Sequence, residues 1–334
     1  MAGNPKRIDD TFPIRGLKVK ISVIGYGNIG ESIVVFLLDG DEIFYAMVID
    51  SYLVKRKNHP ILNKTIDLLR QNHIERLDVL CWSHPHRDHS RGMSKLINDF
   101  CDSDTLFIFP PFVTGENSDN IDLKNDEMQM VKAILAANRA KSLKANQVSL
   151  VSGKYAPVDE FVLKSYFGDN KLNKIKVFAI TPDSSELLKQ VGIPVKRNPN
   201  DLSVSLIIQV DSYGFLFGAD TTNKHIDTCN KVFLKRCRFV KIPHHASLTA
   251  NHLVSYLPSN LDAACTTLYN VGNSHLPDDD VIRQYKSMGA DVYVTGIKGR
   301  KKTGLPYRIM SYTYDFSGPW PQIDVDKSCC PVLL

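Results

Sequence analysis

The sequence has no long hydrophobic run, and this limits where the protein can work. A membrane-spanning helix needs about 20 consecutive apolar residues, and no stretch of the 334-residue chain approaches that length. Residues 1–16 are polar and lack the apolar segment of a secretory signal peptide. We therefore expect a soluble, cytoplasmic protein with no membrane partner.

The sequence also lacks paired cysteines. Its seven cysteines are an odd number, and no two of them stand in a CxxC arrangement. Cys81 and Cys265 lie inside apolar stretches, which is typical of free thiols that are buried in a reducing compartment. The cysteines therefore predict buried free thiols rather than a disulfide framework.

Histidine is scarce, yet three of the ten histidines fall within one stretch of six residues, with an aspartate between them: His84, His86, Asp88 and His89. An apolar segment at 77–82 predicts a strand before them, and a helix is predicted from 91. In an extended chain, alternate residues point to the same side, so His84 and His86 share one direction. Two imidazoles for one cation, then a carboxylate and an imidazole for a second, suit Zn²⁺ or another first-row metal.

Further metal-compatible side chains follow other predicted strands. Asp50 follows the strand at 43–49, and Asp220 follows the strand at 215–217. His244 and His245 come directly after the strand at 239–242. If these strands lie side by side, their ends converge on one edge of the sheets. The sequence therefore predicts one composite site drawn from distant parts of the chain.

A glycine pattern near the N-terminus has a different explanation. Gly25, Gly27 and Gly30 match the GxGxxG spacing of dinucleotide-binding loops, which requires a following helix. Here β-branched residues follow, so a strand–turn–strand hairpin is predicted instead. Helices are predicted at 60–77, 122–144, 224–234 and 278–288, among strands, which indicates an α/β protein. No linker-like change in composition divides the chain, so one domain is expected.

The sequence resembles the metallo-β-lactamase superfamily in four features. These are the HxHxDH block, the strand-end Asp50, the Gly-Ala-Asp220 element and the Pro-His244-His245 element. Within this superfamily, the chain is most similar to the soluble hydrolase domain of ComEC-type competence proteins. That similarity includes four short stretches, which are 29–32, 200–203, 244–247 and 275–277. Glu31 and Ala246 stand where that branch has Asp and Gly.

The resemblance implies a four-layer αββα sandwich of the metallo-β-lactamase type. It runs from about residue 17 to 296, so it covers most of the chain. We expect a tail at 1–16, a hydrolase domain at 17–316 with an insertion near 102–174, and a C-terminal tail at 317–334.

The resemblance also implies two divalent cations, Zn²⁺ or Mn²⁺. His84 and His86 would hold one cation, Asp88, His89 and His244 would hold the second, and Asp220 would bridge them. His244 is preferred because it is the first histidine of its block, and His245 is the alternative. No histidine lies between His89 and His225, so the third histidine that the superfamily supplies to the first cation is absent. We therefore expect weak occupancy there.

Three side chains are candidates for catalysis. Asp88 or Asp220 would take a proton from a water that the cations activate, and His275 would donate a proton or contact a phosphate. Asp50 would orient a ligand histidine by a hydrogen bond.

Three functions remain open. The first is a metal-dependent phosphodiesterase or nuclease that uses a metal-bound hydroxide, which the ComEC-type resemblance favours. The second is a hydrolase of a small molecule such as a cyclic nucleotide, a lactone or an amide. The third is a non-catalytic regulatory partner that keeps the fold. The net charge of +5 and a basic stretch at 298–302 permit a nucleic acid or nucleotide substrate. Proteins encoded nearby are further candidate partners, and the oligomeric state is open.

Overall fold

Two eight-stranded β-sheets form the frame of the protein. The computed structural model describes residues 13–55, 61–114, 120–147, 157–165, 172–183, 196–296, 307–318 and 320–326. In spatial order, the strands of the first sheet are β18 (Gln322–Asp326), β17 (Arg308–Asp315), β2 (Leu17–Tyr26), β3 (Gly30–Asp39), β4 (Glu42–Ile49), β5 (Val79–Cys81), β6 (Leu106–Phe109) and β7 (Lys144–Gln147).

The second sheet has the same number of strands, and a separate hairpin lies beside it. In spatial order, its strands are β1 (Pro13–Ile14), β8 (Asp159–Ser165), β9 (Leu172–Ala179), β10 (Leu206–Val210), β11 (Tyr213–Phe217), β12 (Cys237–Lys241), β13 (Ala263–Thr266) and β16 (Asp291–Val294). The hairpin consists of β14 (Tyr269–Val271) and β15 (Ser274–Leu276).

The helices that the structure describes are mostly short. The α-helices are α1 (Lys64–Gln71), α2 (Arg87–Ser90), α3 (Met93–Phe100), α4 (Asn125–Lys141), α5 (Asn223–Thr228), α6 (Lys231–Leu234) and α7 (Asp279–Ser287). Three 3₁₀ segments cover Pro199–Leu202, Pro243–Ala246 and Leu248–Tyr256. Among the described helices, none is long and apolar enough to cross a membrane.

Alternate residues of the strands face two different cores. In β3, Ile33, Val35 and Leu37 join a central core that contains side chains from both sheets. Val34 and Phe36 face the other way, into a core shared with α1, α3 and α4. A third core packs the outer face of the second sheet against α5, α7 and Leu248–Tyr256. The layers are therefore helix, sheet, sheet and helix, and the predicted αββα sandwich is confirmed.

The glycine-rich turn joins two antiparallel strands, as the sequence predicted. Tyr26 pairs with Gly30 at the end of the β2–β3 hairpin, so no helix follows the glycines. A Cβ atom on Gly30 would lie 2.1 Å from Cγ of Tyr52. Gly30 therefore allows the hairpin to pack closely on the segment after β4, and the GxGxxG pattern has a structural cause.

Parallel pairing sets where the candidate site forms. β4 and β5 are parallel neighbours in the first sheet, and β11, β12 and β13 are parallel neighbours in the second. Because parallel strands end on the same side, the residues that follow them are gathered at one edge of the sandwich. The loops there connect rigid strands, which suits precise placement of side chains.

Some boundaries differ from those expected. The region 317–334, expected as a tail, contains β18, which pairs with β17, and residues 13–14 of the expected N-terminal tail pair with β8. The helix predicted at 60–77 is confined to Lys64–Gln71, because Asn63 caps its start and the chain turns at Asn72. The basic stretch at 298–302 lies outside the described residues.

The cysteines behave as predicted within the described chain. Five cysteines are buried and form no disulfide: Cys81, Cys101, Cys229, Cys237 and Cys265. Burial raises the pKa of Cys101 to about 12 and that of Cys229 to about 11, so these thiols stay protonated at neutral pH.

Candidate metal centre

Groups of metal-compatible side chains meet where the strands end, and all their members are buried except His86, which is half-buried. Two of the groups share Asp220 and consist of Asp88, His89, Asp220 and His245, and of His84, His86 and Asp220. Within each group, the donor atoms lie within 4.8 Å of one another. Asp220 Oδ1 lies 3.5 Å from His89 Nε2, and Asp220 Oδ2 lies 3.4 Å from His84 Nε2. Asp220 therefore lies between the two groups.

The strand pairing explains why residues so distant in sequence meet here. Asp50 and the stretch 84–89 follow β4 and β5, whose last residues pair as Ile49 and Cys81. Asp220 and the stretch 244–245 follow β11 and β12, where Phe217 pairs with Lys241. The first sheet thus supplies four of the six residues in these groups, and the second sheet supplies Asp220 and His245.

The structure distinguishes the two adjacent histidines. His245 Nε2 lies 3.3 Å from Asp88 Oδ2, whereas His244 Nε2 lies 3.9 Å from Asp220 Oδ2 and 3.3 Å from Asn200 Nδ2. His244 was predicted to bind beside Asp88, with His245 as the alternative, and it is His245 that contacts Asp88. The reason is local: both histidines have positive φ, 49° and 52°, so this left-handed turn sends consecutive side chains to different points.

His244 lies near the place where the cation site of His84 and His86 would have its third histidine. His244 Nε2 approaches the same carboxylate oxygen of Asp220 that faces His84. His244 therefore lies beside the group formed by His84, His86 and Asp220, for which the sequence offered no third histidine. The side chain is partly exposed, with 21% of its surface accessible, so it is less fixed than His245 at 1%.

Asp50 lies behind the donor groups and orients one of their histidines. Its Oδ2 atom lies 2.6 Å from His89 Nδ1 and accepts a hydrogen bond of 2.6 Å from the Ser83 hydroxyl. Its Oδ1 atom accepts the backbone N–H of Ser83 at 2.7 Å. A carboxylate can only accept, so His89 Nδ1 carries the hydrogen and His89 Nε2 faces the donor groups.

Several buried atoms at the centre make no hydrogen bond. Among the residues that the structure describes, His84 Nε2, His89 Nε2 and Asp220 Oδ1 are buried without such a partner. Buried polar atoms are almost always paired, because an unpaired one costs about 1–3 kcal/mol. Three such atoms converging with carboxylates fit a bound cation, whose preferred ligands are imidazole nitrogen and carboxylate oxygen. The donor set therefore fits a divalent metal.

The side chains of the centre shift one another's pKa values. Burial alone would lower the pKa of His89, but Asp88 and Asp50 raise it well above its ordinary value. Burial lowers the pKa of His84, and the neighbouring His89 lowers it further, which favours a neutral imidazole. Burial alone would raise the pKa of Asp88, but His89 and His245 hold it well below its ordinary value. The pKa of Asp220 is likewise held well below the ordinary value, because the histidines around it outweigh burial. Both carboxylates are therefore ionised.

A cavity of about 390 Å³ opens onto the donor atoms. His86, Arg87 and Asp88 form one wall, and Lys124 and Glu127 at the start of α4 form another. Tyr269 and Val271 of β14 also line it. The Tyr269 ring stacks on His245, with the ring centroids 4.9 Å apart and the planes at 28°.

A larger cavity of about 750 Å³ lies elsewhere, against Lys231 and Tyr256. None of the residues that line it belongs to either donor group. We therefore assign the smaller cavity to the candidate site.

His275, a candidate proton donor, is not among the residues that line the cavity. In the β14–β15 hairpin it pairs with Asn270, and its Nδ1 atom contacts the Asn270 side chain. Residues alternate between the two faces of a strand, and Tyr269 and Val271 line the cavity. His275 and Asn270 therefore face the opposite side of the hairpin.

A buried set of residues lies behind His245 and was not predicted to meet there. These are Glu31 on β3, Lys241 on β12 and Thr267 after β13. Glu31 was noted only for its place in the resemblance, and a second signal is Lys241, a charged residue that interrupts the apolar strand around Phe239 and Val240. A charge inside such a strand indicates a buried partner.

Comparisons with known proteins find similarity among solved structures. No protein-family profile and no curated protein matches the chain. The metallo-β-lactamase fold protein YhfI from Bacillus subtilis is 11% identical, with a TM-score of 0.42 over 84% of this chain and 98% of that chain. A diphosphatase of the PhnP family is 11% identical, with a TM-score of 0.37 over 83% of this chain and 85% of that chain. Function is therefore inferred from the side chains of the site.

Proposed function

We propose that this protein is a hydrolase that depends on two divalent cations, Zn²⁺ or Mn²⁺, and cleaves phosphodiesters. The observation that carries the proposal is the pair of buried donor groups that share Asp220 and contain unpaired His84 Nε2 and His89 Nε2. When bound, such a pair of cations lowers the pKa of a water toward about 7 and stabilises the negative charge that develops on the substrate.

The protein side chains have separate tasks in this proposal. His84, His86 and Asp220 hold one cation, and Asp88, His89, His245 and Asp220 hold the other. Asp88 also lines the cavity and is ionised, so it can accept a proton from the attacking water. No step is assigned to His275, which faces the other side of the hairpin from Tyr269 and Val271.

Two features favour a phosphodiester. The first is the resemblance to ComEC-type hydrolase domains in the motifs quoted above. The second is the presence of Arg87 and Lys124 in the wall of the cavity, where they can contact a negatively charged phosphate. A nucleic acid or a nucleotide is the substrate class we propose.

A small-molecule substrate such as a cyclic nucleotide is the second candidate. The cavity holds about 390 Å³ and also contains Asp122 and Glu127, whose negative charges oppose a long polyanion. Within the described residues, the donor groups are complete enough to hold metal, which argues against a purely regulatory protein.

The test is a substrate panel with purified protein supplied with Mn²⁺ or Zn²⁺. It contains single-stranded DNA, RNA, cyclic nucleotides, a chromogenic phosphodiester, lactones and amides. We expect phosphodiester cleavage that a chelator abolishes and that Asp88→Asn reduces below detection. His252→Ala, which changes an exposed histidine outside the donor groups, should retain activity. Cleavage of lactones or amides alone would refute the phosphodiester proposal.

A further inference from the structure

A charged pair is buried behind the candidate metal centre. Lys241 Nζ lies 2.6 Å from Glu31 Oε1, and the two side chains are 0% and 1% exposed. Removing both charges from water costs several kcal/mol per ion, and the attraction between them offsets this only in good geometry. Stability alone therefore gives a weak reason for the pair.

The second carboxylate oxygen of Glu31, Oε2, is connected to the donor groups through Thr267. Thr267 Oγ1 donates a hydrogen bond of 2.5 Å to Glu31 Oε2. The same hydroxyl oxygen lies 2.8 Å from His245 Nδ1. The chain of contacts therefore runs from Lys241 through Glu31 and Thr267 to His245.

Hydrogen counting fixes the direction of each bond in this chain. A threonine hydroxyl has one hydrogen, and a carboxylate paired with lysine can only accept. Thr267 therefore gives its hydrogen to Glu31 and must accept one from His245. His245 Nδ1 then carries a ring hydrogen, and its Nε2 atom faces Asp88 Oδ2 at 3.3 Å and Asp220 Oδ1 at 3.8 Å, where it can bind a cation held by these carboxylates.

We propose that Glu31, held in place by Lys241, is a positioning residue that acts through Thr267 to keep His245 in the tautomer whose Nε2 can bind a divalent cation. This rests on the proposed metal centre. Asp50 does the same for His89 by direct contact at 2.6 Å. Glu31 lies on the first sheet while Lys241 and Thr267 belong to the second, so the pair also aligns the two halves of the site.

The first experiment reads the tautomer directly, without metal. Protein carrying ¹⁵N-labelled histidine is studied by long-range ¹H–¹⁵N correlation, above the ordinary histidine pKa of about 6.5. The His245 signals are assigned by their absence in His245→Gln. We expect Nδ1 to carry a hydrogen in the wild type and in Thr267→Ser, and to carry it only part of the time in Thr267→Val. The Nε2–H tautomer in the wild type would overturn the proposal.

The second experiment measures the affinity for Zn²⁺ by calorimetry. Thr267→Val, which has nearly the same shape but no hydroxyl, should bind about 10–100-fold more weakly, the usual cost of losing a residue that orients a ligand. Thr267→Ser should restore the affinity. The control is Thr266→Val, which changes the adjacent buried threonine, whose hydroxyl makes only a contact of 3.5 Å to a carbonyl.

The outcomes separate the two proposals. If the wild type binds no metal, the proposed function fails, and the tautomer measurement still tests the role of Glu31. If the wild type binds metal and folded Thr267→Val binds it equally well, only the positioning role fails. If Thr267→Val does not fold, the positioning role is tested by the tautomer of His245 in the wild type and by the Zn²⁺ affinity of Thr267→Ser.

Discussion

At the scale of single residues, His244 and His245 are neighbours with different surroundings. His245 is buried, contacts Asp88 and is held by Thr267, whereas His244 is partly exposed and contacts Asn200 and Thr249. A ligand that is fixed before the metal arrives loses less conformational freedom on binding. The buried histidine is therefore expected to contribute more to metal affinity.

This expectation is tested by His244→Ala and His245→Ala. We expect His245→Ala to lose most of one equivalent of bound Zn²⁺ under conditions in which the wild type binds two. His244→Ala should keep that equivalent and weaken mainly the cation beside His84. Elemental analysis after dialysis measures both. A greater metal loss from His244→Ala than from His245→Ala would reverse the assignment.

Asp262 gives a prediction about pH and stability that is independent of the metal. Burial raises the pKa of Asp262 to about 6, while the Tyr213 hydroxyl donates to its Oδ2 atom. The folded protein thus favours the protonated acid, so the charged form costs stability above about pH 6. This cost fades as the pH falls toward 4.

Asp262→Asn should therefore stabilise the protein above about pH 6. The full shift in the pKa of Asp262 corresponds to about 3 kcal/mol. Because the side chain is partly exposed, we expect the substitution to raise the free energy of unfolding by roughly 1 kcal/mol or less. Urea unfolding at about pH 8 and about pH 4.5 measures this, with the gain present only at the higher value. An equal gain at both values would contradict the raised pKa.

The residues that could bind metal were predictable from the sequence, but the buried residues that hold these ligands in place were not. The HxHxDH block is visible because four donors lie together, and Asp50 and Asp220 are visible because they end apolar strands. Glu31 and Lys241 are 210 positions apart. Nothing local indicates that they meet, because the meeting depends on how the two sheets pack.

At the scale of elements, the β14–β15 hairpin forms part of the cavity. The backbone N–H of Asn270 donates to the Asn28 carbonyl at 2.7 Å, which ties the hairpin to the β2–β3 turn. Tyr269 stacks on His245 and lines the cavity. The hairpin therefore holds an aromatic ring between a candidate ligand and the substrate space.

Tyr269→Ala and Tyr269→Phe test the role of this ring. Stacked aromatic pairs contribute about 0.5–1.5 kcal/mol, so Tyr269→Ala should lower kcat/KM about 2- to 10-fold. Tyr269→Phe keeps the ring and should retain most of the activity. Steady-state kinetics on the substrate found in the panel measures both. Equal losses in the two variants would assign the effect to the hydroxyl instead of the ring.

Individual elements were predicted with uneven success. The strands at 17–24, 33–38 and 43–49 are confirmed, since alternating or apolar runs are a strong signal. The helix predicted at 224–234 is two short helices that meet near Cys229 and Asn230, where Asn230 caps the second. β17 and β18 were not predicted; β18 is the edge strand of its sheet, and β17 lies between it and β2.

At the scale of the whole molecule, the candidate site lies where the two sheets come together. Asp88 and His89 follow a strand of the first sheet, and Asp220 and His245 follow strands of the second. The sequence indicated that strand ends would converge, but the order of strands in each sheet depends on pairings between distant segments. The same arrangement means that a bound cation would join the two sheets.

Metal binding should therefore stabilise the entire fold. A ligand that binds only the folded state at 100 times its Kd adds about 2.7 kcal/mol, which in a protein of this size raises Tm by roughly 4 °C. We expect Zn²⁺ or Mn²⁺ to raise Tm in calorimetry and a chelator to lower it. His89→Ala should lose most of this response, whereas His252→Ala, whose histidine pairs with Asp227 on the surface, should keep it. Because His89 and Asp220 belong to different sheets, an unchanged Tm in saturating metal would mean that no cation joins them.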